Sequence, residues 1–382
     1  MGRQNIEVAD IMRKGFYNFQ KNRKLPVNKI KAVDAIIKCR TAALGGHTDA
    51  CDECGSIRIS YNSCRNRHCP KCQFLAKEKW LHKRMKELLP VQYFHVVFTV
   101  PNELNLLMLN NPKEMYKLFF KAASQTVIDL ANDKFKATTG MLAILHTWGQ
   151  NLSYHPHLHC VIPGGGLSDN KQKWVHSKKK YLLPVKIMSA VFKGKFLELL
   201  KKAYKSDSLK FTGEISNYSY PNRFKALLES LYSKSWVVYT KKPFGGPEKV
   251  LKYLGRYTHR IAIANKRILR HENDKVTFIW KDYKDSNKKK IMTLNSEEFI
   301  RRFMLHILPS GFFKIRYFGI LSNRIRKEMT DICRKILNVK EIFGGIAKDW
   351  KDFMLELTGV DVRICPCCGK GNMITVSRTH PP

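Results

Sequence analysis

The chain has 382 residues, of which 44% are hydrophobic and 11% aromatic, so it is long and apolar enough for two or three domains with packed cores. This composition excludes an intrinsically disordered chain. The formal net charge of +38, from 69 basic and 31 acidic residues, predicts a polyanionic partner. We expect nucleic acid rather than a membrane surface, because no amphipathic basic helix stands apart from the predicted fold.

The cysteine content bears on the compartment. Eleven cysteines in a chain without an apolar leader predict a reducing environment and metal sites rather than disulfides. No window approaches the roughly 18 consecutive apolar residues of a membrane span. We therefore expect a cytoplasmic protein with neither a signal peptide nor a membrane anchor.

The first 90 residues are predicted to form three segments. Residues 1–38 contain two short amphipathic helices, and residues 76–90 form a basic helix that links to the next domain. Between them, residues 39–75 are rich in cysteine and histidine and predict a small zinc-binding domain.

Two pairs of cysteines with the Cys-x2-Cys spacing dominate this segment. Cys51 and Cys54 form one pair, and Cys69 and Cys72 form the other. Two such pairs predict one tetrahedral thiolate site of the zinc-ribbon type. Four further residues suit either a second zinc ion or packing around the first, namely Cys39, His47, Cys64 and His68.

Basic residues are interleaved with these predicted zinc ligands. Arg65, Arg67 and Lys71 lie within the same short stretch as Cys69 and Cys72. A metal-bound frame would hold their charges in fixed positions, so we expect this domain to grip DNA through its phosphates.

Residues 91–270 are predicted to form an α+β domain. A strand over 93–101, a helix over 113–131 and strands over 141–147 and 155–162 give a βαββ order with a largely antiparallel sheet.

The last of these strands carries three histidines. If the stretch is a strand, the two-residue alternation places His155, His157 and His159 on one face. A single histidine on a strand is most often an ordinary polar residue, but three crowded rings would repel one another if charged. Neutral rings that share a metal ion explain the pattern better, and antiparallel pairing would bring Gln150 or His146 alongside. Mixed nitrogen and oxygen ligands favour Mg²⁺ or Mn²⁺ over structural zinc.

Residues 177–232 are lysine-rich and helical in pattern, and we expect a helical insertion that faces nucleic acid. A short helix is then predicted over residues 248–257.

This helix carries two tyrosines four residues apart, Tyr253 and Tyr257, so their phenols lie on one face. Tyrosines at this spacing are usually packing residues. Three cations nearby favour a chemical role, since a phenol flanked by positive charge and a metal can lose its proton and attack phosphorus. These cations, which we also expect to bind DNA, are Lys252, Arg256 and Arg260.

Residues 271–382 are predicted to form a C-terminal β/α region that ends in a cysteine knuckle at Cys365 and Cys368. No second pair is visible nearby. A zinc ion there would need Cys333, His380 or another subunit, and the sequence leaves this open.

At the histidine strand and the tyrosine helix together, the sequence resembles the HUH (His-hydrophobic-His) endonucleases. It is most similar to bacterial rolling-circle transposases of the IS91 family, which are also called two-tyrosine transposases. The resemblance covers about residues 39–325 and is carried by 64–72 (CRNRHCPKC), 146–152 (HTWGQNL), 155–159 (HPHLH) and 253–257 (YLGRY).

This resemblance implies that His157 and His159 bind the catalytic metal and that Tyr253 and Tyr257 are paired nucleophiles. It also implies that the antiparallel sheet is the ferredoxin-like sheet of the HUH superfamily. Related replication initiators have a polar third ligand seven or eight positions before the first histidine, which favours Gln150.

The resemblance therefore implies a bacterial, nucleoid-associated DNA transposase that nicks and rejoins single-stranded element ends through a 5′-phosphotyrosine intermediate. Mg²⁺ or Mn²⁺ would serve the active site, and one or two Zn²⁺ ions the N-terminal domain. Two alternatives remain open at this point: a plasmid-type replication initiator or relaxase with the same chemistry, and a non-catalytic zinc-containing nucleic-acid-binding protein.

Overall fold

The structure is a computed structural model, and it describes residues 6–21, 23–85, 87–178, 182–241, 249, 255, 261–283, 285–339 and 349–382. The described helices are α1 (Val8–Lys21), α2 (Val27–Lys38), α3 (Gln73–Met85), α4 (Asn105–Asn110), α5 (Pro112–Phe135), α6 (Val185–Lys205), α7 (Pro221–Ser233), α8 (Ser296–Leu305), α9 (Arg326–Ile336) and α10 (Trp350–Thr358). The described strands are β1 (Gly46–Cys51), β2 (Ile57–Tyr61), β3 (Tyr93–Thr99), β4 (Ala137–Thr138), β5 (Gly140–Trp148), β6 (Tyr154–Pro163), β7 (Gly165–Ser168), β8 (Trp174–His176), β9 (Val238–Lys241), β10 (Ile268–Glu272), β11 (Lys275–Asp282), β12 (Lys288–Asn295), β13 (Ile315–Gly319) and β14 (Met373–Thr379). Helices and antiparallel sheets together confirm the predicted α+β class.

The described residues divide into two compact units. Unit 1 is drawn from Met1–Lys83, His259–Ile307 and Phe343–Pro382, and unit 2 from Arg84–Thr258 and Leu308–Ile342. These units cut across the predicted C-terminal region. Its strand β13 belongs to unit 2 with the histidine strand, whereas its strand β14 belongs to unit 1 with the cysteine-rich segment.

Unit 2 contains a five-stranded antiparallel sheet in the order β13-β5-β6-β3-β9. Its main elements follow one another along the chain as β3, α5, β5, β6, α6 and β9, a βαββαβ order to which β13 adds an edge strand. Strand β5 is buried at every position, which explains why its sequence is almost uninterruptedly apolar.

One face of this sheet packs against helices α4 to α7 and forms the core of unit 2. Strand β6 contributes Leu158, Cys160 and Ile162 to that core, and all three are fully buried. Because successive side chains alternate between faces, His157 and His159 lie on the opposite face.

Helices α6 and α7 belong to this core, although we expected residues 177–232 to form an insertion that faces nucleic acid. Met188, Phe192, Phe196 and Leu200 recur every four residues along α6 and are fully buried. The lysines of α6 lie on its other faces. The helix is therefore amphipathic, and its high lysine content obscured its apolar face in the sequence.

The described part of unit 1 contains two three-stranded antiparallel sheets, β14-β1-β2 and β10-β11-β12. The second sheet packs on α8, where the ring centroids of Phe278 and Phe299 lie 6.0 Å apart, and α1 packs on α8. The first sheet joins an N-terminal hairpin to a strand from the C-terminal residues. This pairing matters for the cysteines described below.

Within the residues that the structure describes, no helix has both the length and the apolar character needed to cross a lipid bilayer.

The position of α6 in the core leads to a stability prediction. Phe192 is fully buried, and its ring centroid lies 5.0 Å from that of Phe98 and 5.4 Å from that of Trp236. Phe192→Ala should lower the free energy of unfolding by about 3–5 kcal/mol, because the lost ring leaves a cavity. The matched change Ile187→Ala, at a residue of the same helix that is 49% exposed, should cost under about 0.5 kcal/mol. Urea unfolding followed by Trp fluorescence measures both, and equal effects would contradict a core role for α6.

Candidate functional site

The histidine face of the central sheet forms the first candidate site. Residues His146 and His157 are directly paired across β5 and β6, and His159 is one strand repeat further along β6. The ring centroid of His146 lies 5.4 Å from that of His157 and 4.6 Å from that of His159, and the last two are 4.9 Å apart. One ligand nitrogen from each ring lies within 4.8 Å of the other two.

This spacing fits a metal ion held by three imidazoles. Two nitrogens that are each about 2.1 Å from one metal can be at most about 4.2 Å apart. The rings therefore need only small side-chain adjustments to close on a cation. His146 and His159 are buried and His157 is half-buried, so a bound cation would keep positions open on the side of His157.

The hydrogen bonds around the rings indicate which nitrogens are available. His157 Nδ1 lies 2.7 Å from the backbone carbonyl oxygen of His155. A carbonyl can only accept, so Nδ1 carries the proton and Nε2 keeps its lone pair. His157 is thereby fixed in the tautomer that binds a metal through Nε2.

A fourth imidazole, that of His95 in β3, contacts the ring of His159. His95 Nε2 lies 2.9 Å from His159 Nδ1, and the two rings are stacked with centroids 5.1 Å apart. Burial, followed by the positive charge of Lys241, lowers the pKa of His95 to about 3, so this ring is neutral. A neutral His95 can accept the Nδ1–H of His159, which leaves His159 Nε2 for a metal.

Gln150 and His155, which we also predicted near the metal, differ from the three imidazoles in their surroundings. Gln150, which we favoured as the third ligand, lies in the turn between β5 and β6. His146 is paired with His157 across the two strands. His155 is half-buried and lies outside the three-imidazole group, and burial lowers its pKa. The sheet therefore brings together a different trio from the three histidines of the sequence pattern.

The predicted nucleophiles lie outside the described residues. This applies to Tyr253 and Tyr257 and equally to the three cations predicted around them, Lys252, Arg256 and Arg260.

The second candidate site is a group of four thiols in unit 1, at Cys39, Cys64, Cys69 and Cys72. Cys72 Sγ lies 3.5 Å from Cys39 Sγ and 3.6 Å from Cys64 Sγ. Hydrogen bonds from the thiols of Cys64 and Cys69 lower the pKa of Cys72 to about 2, while hydrogen bonds to Cys64 and Cys72 raise the pKa of Cys69 far above its ordinary value. Without a cation the four thiols therefore cannot all ionise, and a zinc ion would remove that conflict.

A second group of four thiols corrects the predicted zinc grouping. Cys51 and Cys54 do not join Cys69 and Cys72; they lie beside two cysteines of the C-terminal knuckle, Cys365 and Cys368. The pairing of β14 with β1 causes this arrangement, and sequence spacing gave no sign of it.

The two histidines proposed for a second zinc site belong to neither thiol group. His47 Nε2 lies 3.6 Å from a carboxylate oxygen of Asp49, and His68 Nε2 accepts a 3.3 Å hydrogen bond from Arg67. Both imidazoles thus contact polar groups other than the thiols.

The cations predicted to grip DNA differ in their surroundings. Arg65 is exposed, whereas burial lowers the pKa of Arg67. Lys71 forms an ion pair with Glu7, with Nζ and Oε2 2.5 Å apart. Lys71 is therefore engaged within unit 1, and Arg65 is the most accessible of the three.

Sequence reasoning missed two contributions to these sites. His95 is a single histidine in an apolar strand. It alternates with the core residues Phe94 and Val96, and the resulting position on the opposite face of the sheet was the one available signal. The partnership of Cys365 and Cys368 with Cys54 and Cys51 depends on strand pairing between segments that are distant in the sequence.

Comparisons with known proteins give consistent matches. A family model described as "Putative transposase" matches residues 140–329, and one described as "Transposase zinc-binding domain" matches residues 11–100. A putative transposase of Sinorhizobium fredii is 46% identical over 382 residues, which cover 98% of this chain and 96% of that protein. The transposase for insertion sequence element IS801 of Pseudomonas savastanoi pv. phaseolicola is 24% identical over 313 residues, which cover 78% of this chain and 71% of that protein. No solved structure gives a significant match.

The zinc-binding match includes every cysteine of the first thiol group. Together, the family model and the cysteine geometry support Zn²⁺ in the N-terminal region of the chain.

The thiol geometry predicts which changes remove zinc. Replacing Cys64 and Cys72 together by serine should lower the zinc content by one ion per chain, because two thiolates cannot complete a tetrahedral site. The changes His47→Ala and His68→Ala should leave the zinc content unchanged, since neither ring lies in a thiol group. Elemental analysis of the purified variants against the parent protein measures the difference. Loss of zinc from either histidine variant would reinstate a mixed cysteine and histidine site.

Proposed function

Because the chain belongs to the IS91 family of transposases, we propose that it nicks and rejoins single-stranded DNA by metal-assisted tyrosine attack during rolling-circle transposition. The observation that carries this proposal is the group of three imidazoles on one face of the central sheet. Family membership makes DNA the substrate class, and the imidazoles supply a place for the cation that phosphoryl transfer needs.

We further propose that the central sheet is the ferredoxin-like sheet of HUH endonucleases. Its strand order β9-β3-β6-β5 and its βαββαβ chain order support this assignment. His157 and His159 then lie on a central strand, on the face away from the helices. His157 is half-buried, and it is the one that a DNA strand would reach.

His157 and His159, with His146 as the third ligand, would hold the catalytic divalent cation. Gln150 is the alternative third ligand, which the resemblance to replication initiators favoured. Three imidazole nitrogens suit Mn²⁺ better than Mg²⁺, which binds mainly through carboxylates, phosphates and water. A cation bound there would polarise the scissile phosphate and stabilise the charge that develops on it.

The chain's own residues would carry out the bond exchange. The phenol of Tyr253 or Tyr257 loses its proton and its oxygen attacks phosphorus in line, so that a tyrosine–phosphorus bond forms as the bond to the 3′ oxygen breaks. The departing 3′ oxygen takes up a proton and becomes a free hydroxyl, while the 5′ end stays on the protein. When a 3′ hydroxyl attacks this linkage, the phosphodiester is restored and the phenol is released, and no hydrolysis is required.

A second tyrosine allows a second DNA end to be captured before the first is released. This fits a transposase that must handle both a donor and a target strand. The high positive charge would hold the displaced strand, with Arg65, Arg67, Lys252, Arg256 and Arg260 as the proposed contacts.

Two other functions have less support. A replication initiator or relaxase would use the same chemistry, but both relatives compared above are named as transposases. In a non-catalytic DNA-binding protein a structural metal would have a closed set of four protein ligands, whereas three imidazoles leave a position open.

The nucleophile assignment predicts a covalent product. The double change Tyr253→Phe with Tyr257→Phe should abolish the protein–DNA adduct on a denaturing gel after incubation with single-stranded element ends and Mn²⁺, because phenylalanine has no oxygen to attack phosphorus. Binding measured by gel shift should persist. The control Tyr283→Phe, at a residue 64% exposed, should form the adduct at the parental rate. An adduct that survives the double change would disprove the assignment.

The ligand assignment predicts unequal effects for two neighbouring changes. His146→Ala should weaken Mn²⁺ binding and slow adduct formation by at least about 10-fold, since removing a ligand should cost no less than removing an outer-shell partner. Gln150→Ala should stay within a few-fold of the parent. Electron paramagnetic resonance titration of Mn²⁺ and the adduct rate give independent readings, and the reverse order would identify Gln150 as the third ligand.

A further inference from the structure

We propose that Cys51, Cys54, Cys365 and Cys368 bind a second zinc ion, which fastens the C-terminal strand β14 to the N-terminal hairpin β1–β2. The matched zinc-binding region ends at residue 100, so half of this site lies far outside it. The inference is independent of the tyrosine chemistry, because all of its residues belong to unit 1.

The sulfur positions fit a tetrahedral zinc ion. Cys51 Sγ lies 3.7 Å from Cys368 Sγ, and Cys54 Sγ lies 3.7 Å from Cys365 Sγ. Four sulfurs at about 2.3 Å from a tetrahedral zinc are about 3.8 Å apart. A disulfide would require about 2.0 Å, and all four cysteines are free thiols.

Both pairs have the backbone of a metal-binding knuckle. Each has the pattern Cys-x2-Cys-Gly, and the closing residues Gly55 and Gly369 both have a φ of 67°, the left-handed region that glycine adopts without strain.

Backbone N–H groups point at the sulfurs. Amides donate to Sγ of Cys51, Cys365 and Cys368 at 3.5, 3.4 and 3.4 Å, from Cys54, Cys367 and Gly371 respectively. These donors stabilise thiolates and hold them in place for a cation.

The surrounding backbone brings the two knuckles together. Strand β14 pairs with β1 from Gly46 opposite Thr379 to Cys51 opposite Met373. The buried carboxylate of Asp49 accepts hydrogen bonds from Arg58 on β2 and Thr375 on β14, which links all three strands.

Gly371 permits the closest approach of the two knuckles. A Cβ at this position would lie 2.5 Å from Cys51 Sγ and 2.6 Å from Asp52 Oδ1. Only a residue without a side chain fits between them.

Apolar burial contributes little to the stability of β14 on the sheet, so a bound zinc ion would be needed to stabilise its pairing with β1. Six of its seven residues are exposed, including Ile374 at 53% and Val376 at 61%. A small sheet with so little buried surface is marginal in water, and metal coordination is the common substitute for a missing core.

The test is the zinc content of the full chain. The double change Cys365→Ser with Cys368→Ser should lower it by one ion per chain relative to the parent. The matched control Cys367→Ser, at an exposed cysteine of the same knuckle that lies outside the thiol group, should leave it unchanged. Because the variant is compared with the parent protein, a metal bound at the imidazoles contributes equally to both and does not affect the difference in zinc content. Unchanged zinc content in the double variant would overturn the proposal.

Alkylation of the unaltered protein gives a second test that does not depend on a variant's folding. In the zinc-loaded chain, iodoacetamide should modify Cys367 much faster than Cys365 and Cys368, as read by peptide mass spectrometry. A chelator should expose Cys51, Cys54, Cys365 and Cys368 together, and the amides of β14 should then exchange faster with deuterium. Equal alkylation of all three knuckle cysteines in the loaded chain would refute the site.

Discussion

The alternation of side chains along β6 is the constraint on which the candidate active site depends. Leu158, Cys160 and Ile162 are held in the core by helices α4 to α7, so their neighbours His157 and His159 must point to the other face. A shift of one residue would turn the imidazoles toward the apolar core and the core residues toward the opposite face of the sheet. Apolar packing thus fixes the register, and the register determines which face of the sheet carries the imidazoles.

The sequence predicted the parts of the site that depend on local periodicity. The strand at 155–162 and its neighbour at 141–147 were predicted from their β-forming residues, and antiparallel pairing then implied that Gln150 or His146 would lie alongside the histidine pair. The preference for Gln150 as the third ligand came from the resemblance to replication initiators, whereas the register that pairs His146 with His157 is not fixed by sequence spacing. His95 was missed because β3 contacts β6 only through the sheet, 64 residues away in the chain.

Long-range pairing also explains the revised cysteine groups. Two knuckles close together in sequence are the natural candidates for one zinc site, and the hairpin β1–β2 alone would allow that grouping. The strand β14 adds to the same hairpin and brings Cys365 against Cys54, which releases Cys69 and Cys72 to pair with Cys39 and Cys64. The lysine-rich α6 shows the opposite case. Its apolar residues recur every four positions and are visible in the sequence, but we interpreted the helix from its lysines instead.

Ligand chemistry separates the metal sites by task. A tetrahedral zinc ion in the thiol groups would have all four positions filled by sulfur, so it could support a fold but could not meet a substrate. Three imidazoles leave positions free, and the partial exposure of His157 makes them reachable. A chelator should therefore strip the imidazole site first, because thiolates hold zinc far more tightly than neutral rings hold Mn²⁺. Loss of strand transfer with the fold intact would then mark the catalytic cation as distinct from the structural ones.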